Sequence, residues 1–408
     1  MKITEVRTIV TCPGRNYVIV KIVTDEPGLY GVGDATLNGR ELAVATILQE
    51  YFAPLLIGRD PDRIEDIWQT LYRGFYWKGG PDAMTALSGI DMALWDIKGK
   101  RAGMPVYALL GGKTREGVLA YTHAGGRDFV EVEDAVRQCV EQGFKVVRAQ
   151  VAVPGGAGTY GAGGRMEAAS ATWIHGDGGP MPAIERWEPS PYLRVVPNLF
   201  AHLRATVGPE VELLHDVHER LTPIQAARLA RELEPFHLFF LEDPLRPENR
   251  EGFRIIRQHS TTPLAMGELF HTRYECLPLL TEQLIDFIRC DLGHSGGITE
   301  ARKIAAVAEC YQVQTAWHGP GDIAPPTHAA NVHLDLALPN FGVQEMVFFP
   351  EIVQEVLPGA PVFRDGYLEV ADMPGLGVDV NEDLAAKYPY QRAYLPMVRR
   401  ADGSVHDW

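Results

Sequence analysis

Three acidic residues end three consecutive hydrophobic segments of the chain. Asp216 ends VELLHD, Glu242 ends HLFFLE and Glu268 ends PLAMGE, so 26 residues separate each acid from the next. One strand and one helix account for this spacing, and neighbouring strands of a parallel barrel end at one mouth. Three carboxylates gathered there repel one another unless a cation lies among them. Because Mg²⁺ prefers oxygen ligands, the pattern predicts a magnesium site; the alternative, three unrelated solvated acids, does not explain the equal spacing.

The composition of the 408-residue chain restricts the class of protein. It is 46% hydrophobic and 22% charged, which suits a large core, and it contains no apolar stretch of membrane-spanning length. The net charge of −15 argues against nucleic acid as a partner, because phosphate binding needs a basic surface. The five cysteines form no CxxC pair, and MKITEVRTIV lacks the apolar core of a signal peptide, so we expect a cytoplasmic protein without membrane contact.

The first 115 residues predict an α+β unit. Alternating hydrophobic residues indicate strands over 2–11, 17–24 and 29–36, and helical periodicity covers 41–56, 61–75 and 84–101. Gly103 and Pro105 follow the last of these helices, as helix stop signals do.

From residue 116 to 359 short β-branched or aromatic segments alternate with helical ones. The predicted strands are 118–122, 146–151, 211–217, 238–242, 263–267, 287–291, 313–317 and 341–345. This alternation indicates an α/β fold with a parallel sheet, and eight strands favour a closed barrel over an open doubly wound sheet, which the pattern leaves possible. In the helix over 222–234, Thr222 suits the N-cap and Pro223 the first turn.

One connection in this region is unusually long. Residues 152–191 contain nine glycines and five prolines, and they follow the second predicted barrel strand. Loops of this length are commonly lids or binding loops, or are disordered, and this one is expected on the face where barrel active sites lie. Residues 360–408 are rich in turn residues and predict a tail that packs elsewhere.

Long motifs in both regions and in the tail resemble the enolase superfamily, specifically its D-mannonate dehydratase subgroup. They are GVGDATLNGRE (31–41), the helix and turn over 83–112, LLHDVHERLTPIQAARLARELEP (213–235), FLEDP (240–244), GGIT (296–299) and the tail segment 374–396. The resemblance implies a (β/α)7β modified TIM barrel over 116–359, and an α+β capping domain over 1–115 that the tail 360–408 completes. It also implies Mg²⁺ on the three acids and a symmetric homo-oligomer, a tetramer or an octamer.

The resemblance assigns roles to individual residues. His218, two residues after Asp216 and therefore expected on the same face of its strand, corresponds to the acid that protonates the departing 3-hydroxyl of the substrate. Tyr160 and Arg148 correspond to the base that removes the C2 proton, and a neighbouring guanidinium favours the phenolate. The implied substrate-contact positions are Asn38, His123, Arg289, His318, Asp322 and Glu345. Racemases and cycloisomerases of the superfamily carry Lys-x-Lys on the second barrel strand, where this chain has Arg148-Ala149-Gln150.

The implied reaction is Mg²⁺-dependent dehydration of the sugar acid D-mannonate to 2-keto-3-deoxy-D-gluconate. Two departures from the subgroup leave the substrate open. Asp291 stands where an uncharged residue is expected, and with His318 it offers an alternative base on the opposite face of C2, which suits the epimer D-gluconate. Pro320 lies between two substrate-contact positions and fixes the backbone there.

Two further interpretations belong to other classes of protein. A divergent member with little turnover and a binding or regulatory role is compatible with the departures at Asp291 and Pro320. A serine hydrolase is suggested by Gly293-His294-Ser295-Gly296-Gly297, which spells a nucleophile elbow with Ser295 as nucleophile and Asp322 and His328 downstream. The hydrolase interpretation leaves the three strand-end acids unexplained.

Overall fold

A three-stranded antiparallel sheet opens the fold. The computed structural model describes residues 1–153, 174–175, 184–394 and 397–407. The sheet contains Ile3–Thr11, Tyr17–Thr24 and Tyr30–Asp34 in that order, close to the predicted strands. The helical segments that follow it are Glu41–Thr46, the π-helix Ile47–Phe52, Ala53–Leu56, Ile64–Arg73, Pro81–Ala102 and Val106–Leu109.

The long helix Pro81–Ala102, here called the capping helix, lies between this sheet and the rest of the protein. Its approach to the sheet requires glycine, since a Cβ on Gly33 would lie 2.0 Å from the carbonyl oxygen of Gly89 on the helix. On its other side, Trp95 Nε1 donates a hydrogen bond to Thr299 Oγ1 at 3.0 Å. The helix is therefore buried around most of its circumference, which explains why its hydrophobic residues are not confined to one stripe.

Eight parallel strands form the second region. They are Val118–Gly126, Val146–Val151, Glu212–Asp216, Leu241–Glu242, Leu264–Met266, Phe287–Ile288, Gln314–Thr315 and Gln344–Glu345. Each of the first six strands pairs with the next along the chain. The seventh is joined to the eighth by an isolated bridge from Thr315 to Phe341, just before the eighth strand. The eighth strand pairs with the first. The sheet is therefore closed: the expected barrel is confirmed and the open-sheet alternative is wrong.

Within the described residues, one principal helix follows each of the first seven strands. These helices are Phe129–Glu141, Pro189–Thr206, Pro223–Leu233, Phe253–His259, Arg273–Thr281, Gly297–Cys310 and Pro325–Ala337, with 3₁₀ turns at Glu234–Phe236 and Pro247–Gly252 and short helices at Glu351–Val356 and Glu382–Ala385. Thr222 forms a capping box before Pro223, as its sequence suggested. Among all the residues that the structure describes, none of the helices combines the length and the apolar character that a membrane span requires.

The tail contacts both regions. The hairpin Val362–Arg364 and Tyr367–Glu369 pairs with the first barrel strand, and Thr11 Oγ1 of the first sheet donates to Ala385 O at 2.9 Å. Further along, Ala393–Tyr394 pairs with Ile174–His175 and Met397–Arg399 with Ile184–Arg186. The division into domains at residues 115 and 359 stays a prediction.

Candidate metal and catalytic site

A layer of hydrophobic side chains fills the barrel interior, each from one strand or from the residue directly beside it. The eight residues are Tyr121, Val146, Leu214, Phe240, Ala265, Phe287, Ala316 and Val343. Side chains alternate along a strand, so the residue two positions further along points the same way, one layer nearer the mouth. On seven of the eight strands that residue is polar: His123, Arg148, Asp216, Glu242, Arg289, His318 and Glu345. Strand alternation thus places most of the predicted site residues in one layer at the mouth of the barrel.

The fifth strand departs from this period. Its second-layer position is Gly267, whose φ of +139° an ordinary side chain rarely adopts, and Glu268 follows it. This turn of the backbone brings Glu268 to the mouth. One carboxylate oxygen each from Glu242, Asp243 and Glu268 lies within 4.8 Å of the other two, and all three residues are buried.

Asp216 lies beside this group and already has two donors. Arg148 Nη1 donates to its Oδ2 at 3.1 Å, and the backbone N–H of His218 donates to its Oδ1 at 2.7 Å. Its strand pairs directly with that of Glu242, so the two acids are neighbours across the sheet. The structure therefore places Asp216, Glu242 and Glu268 at one mouth, with Asp243 rather than Asp216 in the tightest group. The role of Asp216 as a ligand stays a prediction.

Two buried arginines hold the acids on either side. Arg289 Nη2 lies 2.5 Å from Glu242 Oε1 and 2.9 Å from Glu345 Oε2. Arg148, besides its bond to Asp216, lies 3.1 Å from His123 Nδ1, and the other nitrogen of His123 lies 2.6 Å from Glu345 Oε1. Removing either guanidinium would take away the positive charge that faces these buried carboxyl groups.

The mouth holds more carboxyl groups than these two arginines can keep ionised. Burial, reinforced by neighbouring acids, raises the pKa of Glu242 to about 8 and the pKa of Glu268 to about 8. The pKa of Asp243 is also raised well above its usual range, first by burial. Its Oδ2 is buried without a hydrogen-bond partner among the described residues. Buried carboxyl groups that ionise reluctantly and offer a free oxygen fit a divalent cation with oxygen ligands.

Two imidazoles flank Glu268. His218 Nε2 lies 3.6 Å from its Oε1, and His318 Nε2 lies 3.4 Å from its Oε2. The other nitrogen of His318 is 2.8 Å from Asp291 Oδ2, so the predicted pair of Asp291 and His318 is in contact. Although burial opposes protonation, Glu268 and Asp291 raise the pKa of His318 to about 10. A cation bound to Glu268 would weaken the larger of these two effects, as a base active at neutral pH requires.

Comparison with known proteins agrees with this geometry. Residues 4–111 match the mandelate racemase / muconate lactonizing enzyme N-terminal domain, and residues 131–384 match the enolase C-terminal domain-like family. The chain belongs to the enolase superfamily.

The superfamily relatives most similar to this chain include dehydratases. A D-mannonate dehydratase from Sphingomonas sp. (strain SKA58) is 51% identical, and the D-galactonate dehydratase family member RspA from Cellvibrio japonicus (strain Ueda107) is 50% identical, each covering 100% of both chains. A solved structure of an enolase from Pantoea ananatis, with bound D-gluconate and Mg, is 50% identical with a TM-score of 0.92 and covers 100% of both chains. The expected family and its dehydratase class are confirmed; the substrate, the oligomeric state and the cytoplasmic location stay predictions.

The position of His218 corrects one step of the sequence reasoning. The strand ends at Asp216, so His218 is not on it, and its φ of +56° lies in the left-handed region. His218 reaches Glu268 because the backbone turns after the strand, not because of strand alternation.

The remaining superfamily positions fall in different places. Asn38 Nδ2 donates to Asp322 Oδ2 at 2.6 Å, a pair that joins the first region to the loop after the seventh strand. Tyr160 lies outside the described residues, as do 154–173 and 176–183 of the predicted long loop. Ser295 is buried and its Oγ has no hydrogen-bond partner among the described residues, while His328 Nε2 contacts the carbonyl oxygen of Pro320 at 3.0 Å. The geometry does not form the hydrolase triad.

Sequence reasoning missed two acids at the mouth. Asp243 directly follows Glu242, where strand alternation would turn it away, but its φ of +36° turns it toward Glu268. Glu219 is buried next to His218, and burial together with Glu268 raises its pKa to about 9. In the sequence, the only indication that these two acids belong to the site is that each directly follows a predicted site residue. Strand alternation predicts the opposite, because neighbouring residues of a strand point to opposite faces.

Proposed function

We propose that this protein is a Mg²⁺-dependent dehydratase of a six-carbon sugar acid, and that it converts D-mannonate to 2-keto-3-deoxy-D-gluconate. The observation that supports the dehydratase reaction most directly is the placement of His218 and His318 against the two oxygens of Glu268, at 3.6 and 3.4 Å. A substrate bound beside these acids would have a proton-transfer group on each side. Elimination of water needs one group to remove a proton and another to protonate the leaving hydroxyl.

We assign the metal to Asp216, Glu242 and Glu268, with Asp243 beside them. When bound, Mg²⁺ supplies Lewis-acid stabilisation of the negative charge that develops on the substrate as C2 loses its proton. His218 donates a proton to the 3-hydroxyl as the C3–O bond breaks. The electron pair of the C2–H bond forms the C2–C3 double bond, water leaves, and the resulting enol tautomerises to the 2-keto acid.

The base differs between two candidate substrates. For D-mannonate we assign it to Tyr160 with Arg148. D-gluconate, the C2 epimer, presents its proton on the opposite face and gives the same product after loss of water. The contact of 2.8 Å between His318 and Asp291 favours D-gluconate as the second candidate, because it joins a carboxylate to the imidazole that would remove that proton.

Turnover of both acids by the purified protein with Mg²⁺ tests the proposal, with the 2-keto-3-deoxy product as readout. Tyr160→Phe should reduce D-mannonate turnover, and His318→Asn should reduce D-gluconate turnover, each by at least about 100-fold, as loss of a general base does. His202→Asn is the matched control, because His202 pairs with Glu133 on outer helices. If the wild type turns over neither acid, the substrate assignment is wrong.

A further inference from the structure

The turn Gly293–Gly297, which resembles a nucleophile elbow, is packed against the capping helix. A Cβ on Gly296 would lie 2.9 Å from Met84 Cε, and a Cβ on Gly297 would lie 2.5 Å from Asp91 Oδ2. Gly296 N donates to Ser88 Oγ at 2.8 Å. The glycines thus allow this turn to lie directly on the helix, and the motif is explained by packing rather than by nucleophilic chemistry.

His294 is the side chain that this packing fixes in place. Its Nδ1 lies 3.0 Å from Thr85 Oγ1 on the capping helix, and its Nε2 lies 3.8 Å from Asp291 Oδ2. Its carbonyl oxygen lies 3.2 Å from His271 Nδ1. Both the ring and the backbone of His294 are therefore held from outside the turn.

The tautomer of His294 follows from its two neighbours. The Thr85 hydroxyl can donate to Nδ1, which leaves the proton of a neutral ring on Nε2, facing the Asp291 carboxylate. The other tautomer would point a lone pair at that carboxylate. Asp291 Oδ2 therefore faces two imidazoles, His318 at 2.8 Å and His294 at 3.8 Å, while its Oδ1 accepts from Gly293 N at 2.6 Å.

We propose that His294 is a positioning residue for the pair of Asp291 and His318, and that it links the capping helix to the base that acts on D-gluconate. The inference rests on the proposed function, in which His318 is that base. Among the described residues, the hydrogen bonds and ion pairs of His294 do not include the predicted metal ligands or the proposed substrate positions. Its effect acts through the orientation of the Asp291 carboxylate.

Two substitutions separate the contacts of the ring. In His294→Gln the amide nitrogen can reach the position of Nε2 and keep a donor toward Asp291. In His294→Asn the shorter side chain keeps a partner for Thr85 but loses that donor. With D-gluconate and saturating Mg²⁺, kcat, KM and exchange of the C2 proton in D₂O are measured, together with thermal unfolding and D-mannonate turnover.

We expect His294→Asn to lower kcat and C2 exchange with D-gluconate about tenfold, as loss of one contact to a buried carboxylate does, with KM nearly unchanged. His294→Gln should stay within about threefold of the wild type. D-mannonate turnover, whose proposed base is Tyr160, should fall less than D-gluconate turnover in His294→Asn. Equal losses in both variants, extending to D-mannonate and accompanied by a lower unfolding temperature, would show a merely structural role.

The His318→Asn variant distinguishes this inference from the proposed function. If His318→Asn abolishes D-gluconate turnover while His294→Asn leaves it intact, the positioning role is wrong and the base assignment stands. If His318→Asn leaves turnover intact, the base assignment is wrong, and the inference falls with it. If the wild type shows neither turnover nor C2 exchange with D-gluconate, the base assignment to His318 and the positioning role of His294 are both wrong. D-mannonate turnover then tests the dehydratase proposal separately.

Discussion

Replacement of Glu242 by glutamine should remove the metal site and leave the fold intact. Glu242 is fully buried, and burial with the neighbouring acids raises its pKa to about 8. Its carboxyl group is therefore mostly neutral at pH 7 in the metal-free protein, and a glutamine amide has nearly the same shape. Near pH 4, where Glu242 is mostly neutral in the unfolded chain as well, we expect Glu242→Gln to unfold in EDTA within about 1 °C of the wild type, the range of a conservative substitution.

Magnesium should separate the two proteins. A ligand at 100 times its Kd stabilises the folded state by about 2.7 kcal/mol. For a chain of this length, where about 1 kcal/mol shifts Tm by roughly 1–2 °C, that is a shift of about 3–5 °C in the wild type. The variant keeps the shape of the site but lacks one anionic ligand, so most of this shift should disappear at the same Mg²⁺ concentration.

The pH dependence has a defined sign. A folded-state pKa above the unfolded value means that ionisation of Glu242 opposes folding, so metal-free wild type loses stability as pH rises from about 4.5 through 8. Glu242→Gln lacks this contribution, so it should already be the more stable of the two metal-free proteins at pH 7, and the difference should stop growing above pH 8.

Thermal unfolding in EDTA and in Mg²⁺, with titration calorimetry of Mg²⁺ binding, measures both effects. Glu232→Gln is the matched control, because Glu232 pairs with Arg228 on an exposed helix face and should keep the full Mg²⁺ shift. An undiminished Mg²⁺ shift in Glu242→Gln would refute the assignment of the metal to this carboxylate. A large loss of stability in EDTA would show instead that the ionised form already stabilises the metal-free fold.

Three further outcomes follow from buried groups. Burial raises the pKa of Asp91 to about 7, so Asp91→Asn should be more stable than the wild type at pH 8, and the difference should vanish as pH falls toward 4 in urea denaturation. Arg289→Met removes the cation that bridges the buried carboxyl groups of Glu242 and Glu345 and should cost about 3–5 kcal/mol in the same assay. Gly33→Ala should prevent folding or cost more than about 3 kcal/mol, because its Cβ would overlap the Gly89 carbonyl oxygen, whereas Gly39→Ala, in open space at φ +75°, should cost only about 1 kcal/mol.

The sequence predicted the parts of the fold that depend on period and composition. Strand-end acids at equal spacing predicted a common mouth, and the closed sheet supplies it. Arg148 and Glu345 were assigned by family resemblance, yet alternation from Val146 and Val343 in the apolar layer places them in the same layer as Asp216. Strand alternation alone would therefore have predicted that Arg148 and Glu345 lie beside Asp216, because every strand of a closed barrel points alternate side chains inward.

Features that depend on backbone departures at the strand ends were not predictable in this way. His218 was expected to extend the strand of Asp216, but the strand stops and the chain turns. Asp243 was passed over because alternation places it on the opposite face. The packing of the turn at His294 on the capping helix also has no local signal, since it joins residues that are about 200 positions apart in sequence.

These departures explain why the mouth holds so many carboxylates. His218, Glu219 and Asp243 all have positive φ, a conformation that costs of order 1–3 kcal/mol per residue and persists only where the surroundings hold it. Here the departures stabilise one another: Glu219 N donates to Asp243 O at 2.7 Å, and Gly267 N donates to Asp243 Oδ1 at 3.0 Å.

Regular strands would allow only alternate residues to face the mouth. The turns let Asp243 join Glu242, and let Glu268 enter from a position that alternation would point outward. The strained turns thus bring together more carboxyl groups than the two buried arginines can keep ionised. Backbone strain and carboxyl groups that are costly to ionise both oppose folding of the metal-free protein above the ordinary pKa of a carboxyl group, and a divalent cation relieves the second of these costs. The arrangement is therefore understandable as the structure of a metal site rather than as a feature of barrel stability.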